Sequence, residues 1–255
     1  MAVSFDLSGK VALVTGASGG LGRHFAGVLA GTGATVAVCA RRTVEIAVTV
    51  TEIEAAGGKA VAVEMDVTSR DSVEDGFAVA EEQAGPVTLV VNNAGIASGK
   101  LALDLSEDDW DRVMDTNLKG AWTVAQEAAK RMAASETGGV IVNIASILGL
   151  GVTKGVAPYA VSKAGLIQMT KALALEWAAH GIRVNALAPG YVETDLTREY
   201  LASDAGKKLL KRIPQRRPAN MTELDGPLLL LCSDASSYMT GSVLAVDGGH
   251  LVSSL

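Results

Sequence analysis

The sequence predicts an α/β fold, a doubly wound parallel sheet in three α/β/α layers, and three observations carry the prediction. Short β-branched and apolar runs alternate with longer helical stretches from one end of the 255 residues to the other, the order that βαβ units impose. Hydrophobic residues make up 49% of the chain but aromatics only 4%, and an apolar content of mostly Ala, Val, Leu and Ile suits strands buried on both faces under close-packed helices. The 28 glycines suit many tight strand-to-helix turns. The length is large for one core and small for two. With no repeat, low-complexity tract or linker, residues 1–255 read as one domain.

The elements follow in order. Residues 11–15 form an apolar run that stops at glycine, a first strand, and 20–31 a helix with Leu21, Phe25, Val28 and Leu29 on one face. A second strand at 34–40 leads to a helix at 44–56 that ends at Gly57-Gly58, a C-cap signal. A third strand spans 60–65 and a helix 69–83; a fourth strand, 87–91, closes on Asn92-Asn93-Ala94-Gly95. Ser106 followed by Glu107, Asp108 and Asp109 opens one long helix running to about 134, an N-cap with acids at the positive helix end. A fifth strand, 140–145, precedes a long helix at 157–180 that Gly181 ends; a sixth strand, 182–188, a helix at 222–231 and a short strand at 243–246 complete the pattern. Segment 194–218 fits no strand of this core. It mixes Leu196, Tyr200, Leu201, Leu209, Leu210 and Ile213 with Lys207, Lys208, Lys211, Arg212, Arg216 and Arg217, as an amphipathic lid at a ligand mouth would.

Composition excludes several partners. The net charge is −6 and no basic stripe stands out, which argues against nucleic acid. No apolar stretch approaches the roughly 20 residues that span a bilayer, and the start, Met1 to Asp6, lacks a charged-then-apolar leader pattern. Cys39 and Cys232 have neither metal spacing nor a disulfide framework, so a reduced, cytoplasmic setting is expected. His24, His180 and His250 form no paired-histidine motif, so no catalytic metal is assigned.

Two local patterns carry chemistry. Thr15-Gly16-Ala17-Ser18-Gly19-Gly20-Leu21-Gly22 joins the first strand to the first helix. Such a turn lets backbone N–H groups approach a pyrophosphate at the positive helix end, although a glycine-rich turn by itself sometimes only bends the chain. Tyr159 and Lys163 stand four apart on a predicted helix and share a face. They read either as an exposed tyrosine beside an exposed lysine or as a proton-transfer pair. In the second reading a neighbouring ammonium brings the phenol pKa toward the operating pH. After the second strand, Ala40 stands where an acid would bind an adenosine ribose 2′-hydroxyl, and Arg41 and Arg42 follow. Guanidiniums there suit a 2′-phosphate, hence NADP(H). No GxSxG elbow supports a serine hydrolase.

These motifs together resemble the short-chain dehydrogenase/reductase family, in the branch of about 250 residues with TGxxxGxG and YxxxK motifs. The resemblance covers nearly the whole chain, adding Asp66-Val67, Asn92-Asn93-Ala94-Gly95, Asn117, Ser146 and Pro189-Gly190-Tyr191-Val192-Glu193-Thr194, each at its expected element. It implies a Rossmann-like fold and an oxidoreductase that moves a hydride between nicotinamide and a ketone or secondary alcohol. It implies that Tyr159 is the acid/base and that Lys163 lowers its pKa and holds the nicotinamide ribose. Ser146 would bond the substrate oxygen, and Asn117 would hold a relay water. Gly16, Ser18, Gly20, Leu21 and Gly22 would cradle the pyrophosphate, and Asp66 and Val67 the adenine. Asn92, Ala94 and Gly95 would line the cofactor path, and Pro189, Gly190, Val192 and Thr194 the carboxamide end. Ser162, next to Lys163, is read as pointing elsewhere.

The substrate wall is expected from Ile96, Ala97, Ser98, Ile147, Leu148, Val152 and Tyr191 with the 194–218 lid, and its apolar character favours a neutral ketone over a keto acid. A β-ketoacyl-acyl-carrier reductase is the rival within the family, with Lys130, Arg131 and the basic lid holding the carrier. A non-catalytic NADP(H)-binding scaffold is the rival outside it. Ala121, Ala125, Ala128, Ala129, Ala160, Ala164, Ala172 and Ala174 give two helices small-residue faces, and the resemblance implies a homotetramer through them.

Overall fold

The computed structural model describes residues 4–253; of Asp195 and Leu196 it describes the backbone. Among the described residues seven parallel strands form one sheet in the order β3-β2-β1-β4-β5-β6-β7. They are β1 (Val11–Thr15), β2 (Thr35–Ala40), β3 (Lys59–Glu64), β4 (Leu89–Asn92), β5 (Gly139–Ile144), β6 (Ile182–Pro189) and β7 (Val243–Val246). β1 is buried along its whole length, as a central parallel strand covered on both faces must be. One core cluster packs α1 (Gly20–Gly31), α2 (Thr43–Ala55) and α9 (Asp225–Cys232) on one face, through residues such as Phe25, Ile46 and Leu228. Another packs α3 (Arg70–Ala84), α5 (Gly120–Ala134) and α6 (Ala157–Trp177) on the other, through Phe77, Met132 and Leu173.

The strand order reverses between β1 and β4, and a crevice at the carboxyl ends of such strands is where ligands of doubly wound sheets bind. Two features differ from the sequence reading. The long helix expected at 106–134 is α4 (Glu107–Met114), a π-helical turn at Asp115–Lys119, and α5. Ser106 caps α4 as expected, with Asp109 reciprocating. The π turn inserts one residue that 3.6-residue periodicity does not register. Segment 194–218 folds as two packed short helices, α7 (Asp195–Ala202) and α8 (Asp204–Leu210). Leu201 and Ile213 are buried while Tyr200 is exposed, so the apolar residues do not form one pocket-facing stripe.

Candidate active site

The loops at the carboxyl edge build the site. Gly16 has φ +66°, and a Cβ there would lie 2.8 Å from Ala94 Cα, so only glycine seats the loop after β1 against the loop after β4. Asn93 fastens the two loops: its side-chain amide donates to Thr15 O at 3.0 Å and Gly16 O at 3.3 Å. The Thr15 hydroxyl in turn accepts the N–H groups of Asn93 and Ala94 at 3.1 and 3.0 Å. Thr15 and Asn93 stand in the two sequence motifs but receive no role there, because their bonds are made between distant loops. Leu21 packs on the core and Gly22 is buried below the loop. Helix α1 starts at Gly19-Gly20 with no side-chain cap, and no protein atom lies near a Cβ placed at Gly20. An uncapped helix start facing open space fits a phosphate. A groove of about 600 Å³ joins Gly19 and Gly20 to Thr194 and Met221.

At the end of β2, Arg42 donates to Ser18 Oγ at 2.8 Å and pairs with Glu45 at 3.5 Å. The Arg41 guanidinium lies 3.9 Å from the Asp66 carboxylate. Burial pushes the Asp66 carboxyl up, but the N–H and hydroxyl of Thr68 and the charge of Arg41 outweigh it and hold the group below its usual value. Val67 is buried against Gly120 at the start of α5, which fixes the Asp66-Val67 turn beneath the site.

Helix α6 carries Tyr159 and Lys163, with Pro158 in its first turn. Lys163 is 4% exposed; its ammonium donates to Ile144 O at 2.6 Å and sits 5.7 Å from the centre of the Tyr159 ring. Burial brings its pKa down to about 8. Burial also pushes the Tyr159 phenol up, with the Ser146 hydroxyl beside it partly offsetting. The expected lowering of the phenol by Lys163 is therefore not what the chain alone produces. Desolvation is the leading cause of the shift in both groups. Ser146 is buried at the end of β5, and its Oγ accepts the Leu148 N–H at 3.1 Å. It thus also fills the role of a strand-end serine bonding a local N–H.

Asn117 lies within the π turn, fully buried. Its Oδ1 accepts the Ile96 N–H at 2.8 Å, and its Nδ2 donates to Ile96 O at 2.9 Å and Ser162 Oγ at 3.1 Å. Both amide hydrogens are engaged, so a relay water has only the remaining Oδ1 lone pair or the main-chain carbonyls of the π turn to bind. Ser162 does not point elsewhere: it is buried, and its hydroxyl donates to Tyr159 O at 2.8 Å, tying α6 to Asn117. A Cβ on Gly95 would lie 3.4 Å from Asn117 Oδ1 and 3.6 Å from Lys163 Nζ, so the loop after β4 runs beside both.

Other expected residues take less direct positions. The Asn92 side chain is buried, donating to Ala121 O at 3.1 Å and Asn143 Oδ1 at 3.0 Å, so it pins β4 to β5 and α5 and faces away from the crevice. Pro189 ends β6, the Gly190 N–H donates to Val246 O, and Val192 is buried and bridged to Ala219. Thr194 caps α7. These leave backbone for a carboxamide. Ile147 is buried, Leu148 half-buried and Val152 89% exposed, so Val152 projects into solvent and contributes little apolar wall. Tyr191 is half-buried.

The uncapped α1 start, the Arg42 guanidinium beside Ser18 and the desolvated ammonium beside Gly95 fit a phosphorylated dinucleotide. Among the described residues no cluster of metal-ligating side chains occurs, and no helix is long and apolar enough to cross a membrane. The family described as enoyl-(acyl carrier protein) reductase matches residues 16–250. Gluconate 5-dehydrogenase of Gluconobacter oxydans is 40% identical over 250 residues, 98% of this chain and 97% of that one. A 3-oxoacyl-acyl-carrier-protein reductase of Thermotoga maritima is 39% identical over 96% of this chain and 99% of its own. The crystal structure of a gluconate 5-dehydrogenase from Burkholderia cenocepacia, in complex with NADP and tartrate, superposes with a TM-score of 0.93 at 35% identity and 98% coverage of both chains. With the sheet order, the glycine loop and the Tyr159/Lys163 pair, these matches place the chain in the short-chain dehydrogenase/reductase family of oxidoreductases.

Proposed function

We propose that the chain is an NADP(H)-dependent oxidoreductase that interconverts a ketone and a secondary alcohol, with Tyr159 as acid/base. The observation that carries the reading is a run of neighbouring groups at the sheet's carboxyl edge: Asn117 and Lys163 beside Gly95, Tyr159 beside Lys163, and Ser146 beside Tyr159. NADP(H) supplies the hydride. Tyr159 holds the proton that the carbonyl oxygen gains in reduction, and Ser146 orients that oxygen. Lys163, kept poorly solvated, holds its charge for the ribose and the phenolate; Asn117 and Ser162 fix the phase of α6. Arg41, Arg42 and Ser18 hold the 2′-phosphate. The relatives support this choice, since the Burkholderia structure contains NADP. A β-ketoacyl-acyl-carrier reductase is the second reading, favoured by the Thermotoga relative and the exposed Lys207, Lys208 and Lys211. The reduced cytoplasm suits two buried, unpaired cysteines, whose thiols burial pushes up. Steady-state assays of keto sugar acids, hydrocarbon ketones and acetoacetyl thioesters with NADPH and NADH test the proposal. Turnover of a ketone with NADPH is expected. Turnover of the thioester alone selects the second reading, and no turnover of any carbonyl refutes both.

A further inference from the structure

The end of β2, where the adenosine 2′-phosphate is proposed to lie, carries balanced charge. Each of its two guanidiniums stands beside a carboxylate: Arg41 Nη1 lies 3.9 Å from Asp66 Oδ2, and Arg42 Nη1 lies 3.5 Å from Glu45 Oε1. Two positive and two negative charges thus meet where a 2′-phosphate adds up to about two more negative ones. The two carboxylates are not equivalent. Asp66 is pinned, since its Oδ1 accepts the Thr68 N–H at 2.9 Å and the Thr68 hydroxyl at 2.7 Å. Glu45 stands in the first turn of α2 with an exposed side chain, and its partner is Arg42.

Arg42 is the group that Glu45 and a 2′-phosphate would share. Its Nη2 donates to Ser18 Oγ at 2.8 Å, and a Cβ on Gly19 would lie 3.7 Å from that nitrogen. The guanidinium therefore lies along the glycine loop with no side chain of residue 19 between them. Its other terminal nitrogen, Nη1, faces Glu45. A guanidinium grips a phosphate best through two N–H donors at once, and with Nη2 on Ser18 the second donor is the one beside Glu45. A phosphate that takes this position displaces the carboxylate and leaves two negative groups side by side. A ribose 2′-hydroxyl carries no charge and meets neither obstacle.

We propose that Glu45 is a specificity-determining residue that weakens NADP(H) and leaves NAD(H) unaffected, because its carboxylate competes with the 2′-phosphate for Arg42. This role rests on the assignment of that phosphate to Arg41, Arg42 and Ser18 made above. Glu45 sets the margin of the cofactor preference, while the guanidiniums set its direction. Its side chain and that of Arg42 are 42% and 61% exposed, so the competition is that of a screened surface pair, a few-fold in affinity and smaller at high salt. A glutamate in the first turn of a helix also favours the helix itself, but that contribution is blind to the 2′ position of the cofactor.

Fluorescence titration of NADPH and NADH into wild type, Glu45→Gln, Arg42→Ala and the double variant tests this without any turnover. Glutamine keeps the length of the side chain and removes its charge. Glu45→Gln is expected to tighten NADPH by about threefold at low salt, to leave NADH unchanged, and to lose most of the gain at high salt. The gain should shrink in the Arg42→Ala background, where no guanidinium remains to compete for. NADPH binding that Glu45→Gln leaves unchanged or weakens, an equal gain for NADH, or a gain undiminished without Arg42 would overturn the role of Glu45. Weaker NADPH binding in Arg42→Ala with Glu45→Gln silent would remove Glu45 and keep the phosphate on Arg42. NADPH binding that Arg42→Ala leaves untouched would remove both.

Discussion

At the scale of single residues, the site is a small set of buried polar groups whose partners define their roles. Tyr159 is the group whose loss should matter most to turnover. Tyr159→Phe is expected to lower kcat by at least about a hundredfold, the contribution of a positioned acid/base, while NADPH binding measured by fluorescence is retained. A variant keeping a tenth of the activity would remove Tyr159 from the mechanism. Arg42 bonds Ser18 and Arg41 stands next to it in the chain after Ala40, so position 40 offers no carboxylate to repel a 2′-phosphate. Wild type should prefer NADPH, and Arg41→Ala/Arg42→Ala should cut that preference by about tenfold or more in kcat/KM, as loss of charge-assisted bonds implies. A preference untouched by the double change would exclude the pair. Lys163 carries a pH signature. Its folded pKa of about 8 lies below the ordinary 10.5, so between those values the unfolded chain binds a proton that the folded chain does not. The stability of cofactor-free wild type relative to Lys163→Met should therefore rise with pH across that window and stay flat below it. Denaturant unfolding as a function of pH measures the difference, and a difference that falls as pH rises would contradict a desolvated ammonium. Ser146, Tyr159 and Lys163 were legible as residue types at fixed spacing. The roles of Asn93, Thr15 and Ser162 were not, because their hydrogen bonds cross 78, 79 and 45 positions of sequence.

At the scale of elements, helices were located by the period of their buried face and strands by short apolar runs, because parallel strands are covered on both faces. That period did not register the π turn at Asp115–Lys119, where a buried amide and the Ile96 backbone matter more than helical period. It also read segment 194–218 as one amphipathic surface. The segment is a pair of short helices closed on each other, with Gly206 packed against Leu201 and Ile213 buried at its root. It remains the element we propose as the lid, moving as a packed unit about its two ends. Amide exchange in α7 and α8 is expected to be fast in free enzyme and slowed when NADPH and a ketone bind, because closure excludes water from the reacting atoms. Slow exchange that ligands leave unchanged would make the pair a fixed cap. Leu209 and Leu210 are half-buried, so their replacement by alanine should alter the ranking of ketones more than the melting temperature.

At the scale of the whole molecule, the alanine-rich helix faces need reassignment. Ala121, Ala125, Ala128, Ala129, Ala160 and Ala174 are buried within the chain, where they let α5 and α6 lie close to the sheet and to each other. What α6 leaves outward is Val161, Ala164, Ala172 and Leu175, the last 84% exposed. We propose that this stripe is part of a two-fold contact in a homotetramer. Light scattering at micromolar concentration should give four chains for wild type, and Leu175→Asp should shift the population to smaller species. A wild type that stays monomeric would end the proposal.

The sequence by itself determined the alternation of strands and helices, the glycine loop, the Tyr159/Lys163 spacing and the two arginines after β2. All are local: they depend on period, on turn chemistry, or on residues a few positions apart. Tertiary structure decided what depends on pairs of distant segments. It turned the Asn92 side chain into the core, engaged Asn117 and Ser162 with each other, and brought His250 from the end of the chain onto Tyr191. It also set the sign of the Tyr159 shift, because desolvation depends on how completely the surrounding chain excludes water, and no spacing of residues records that.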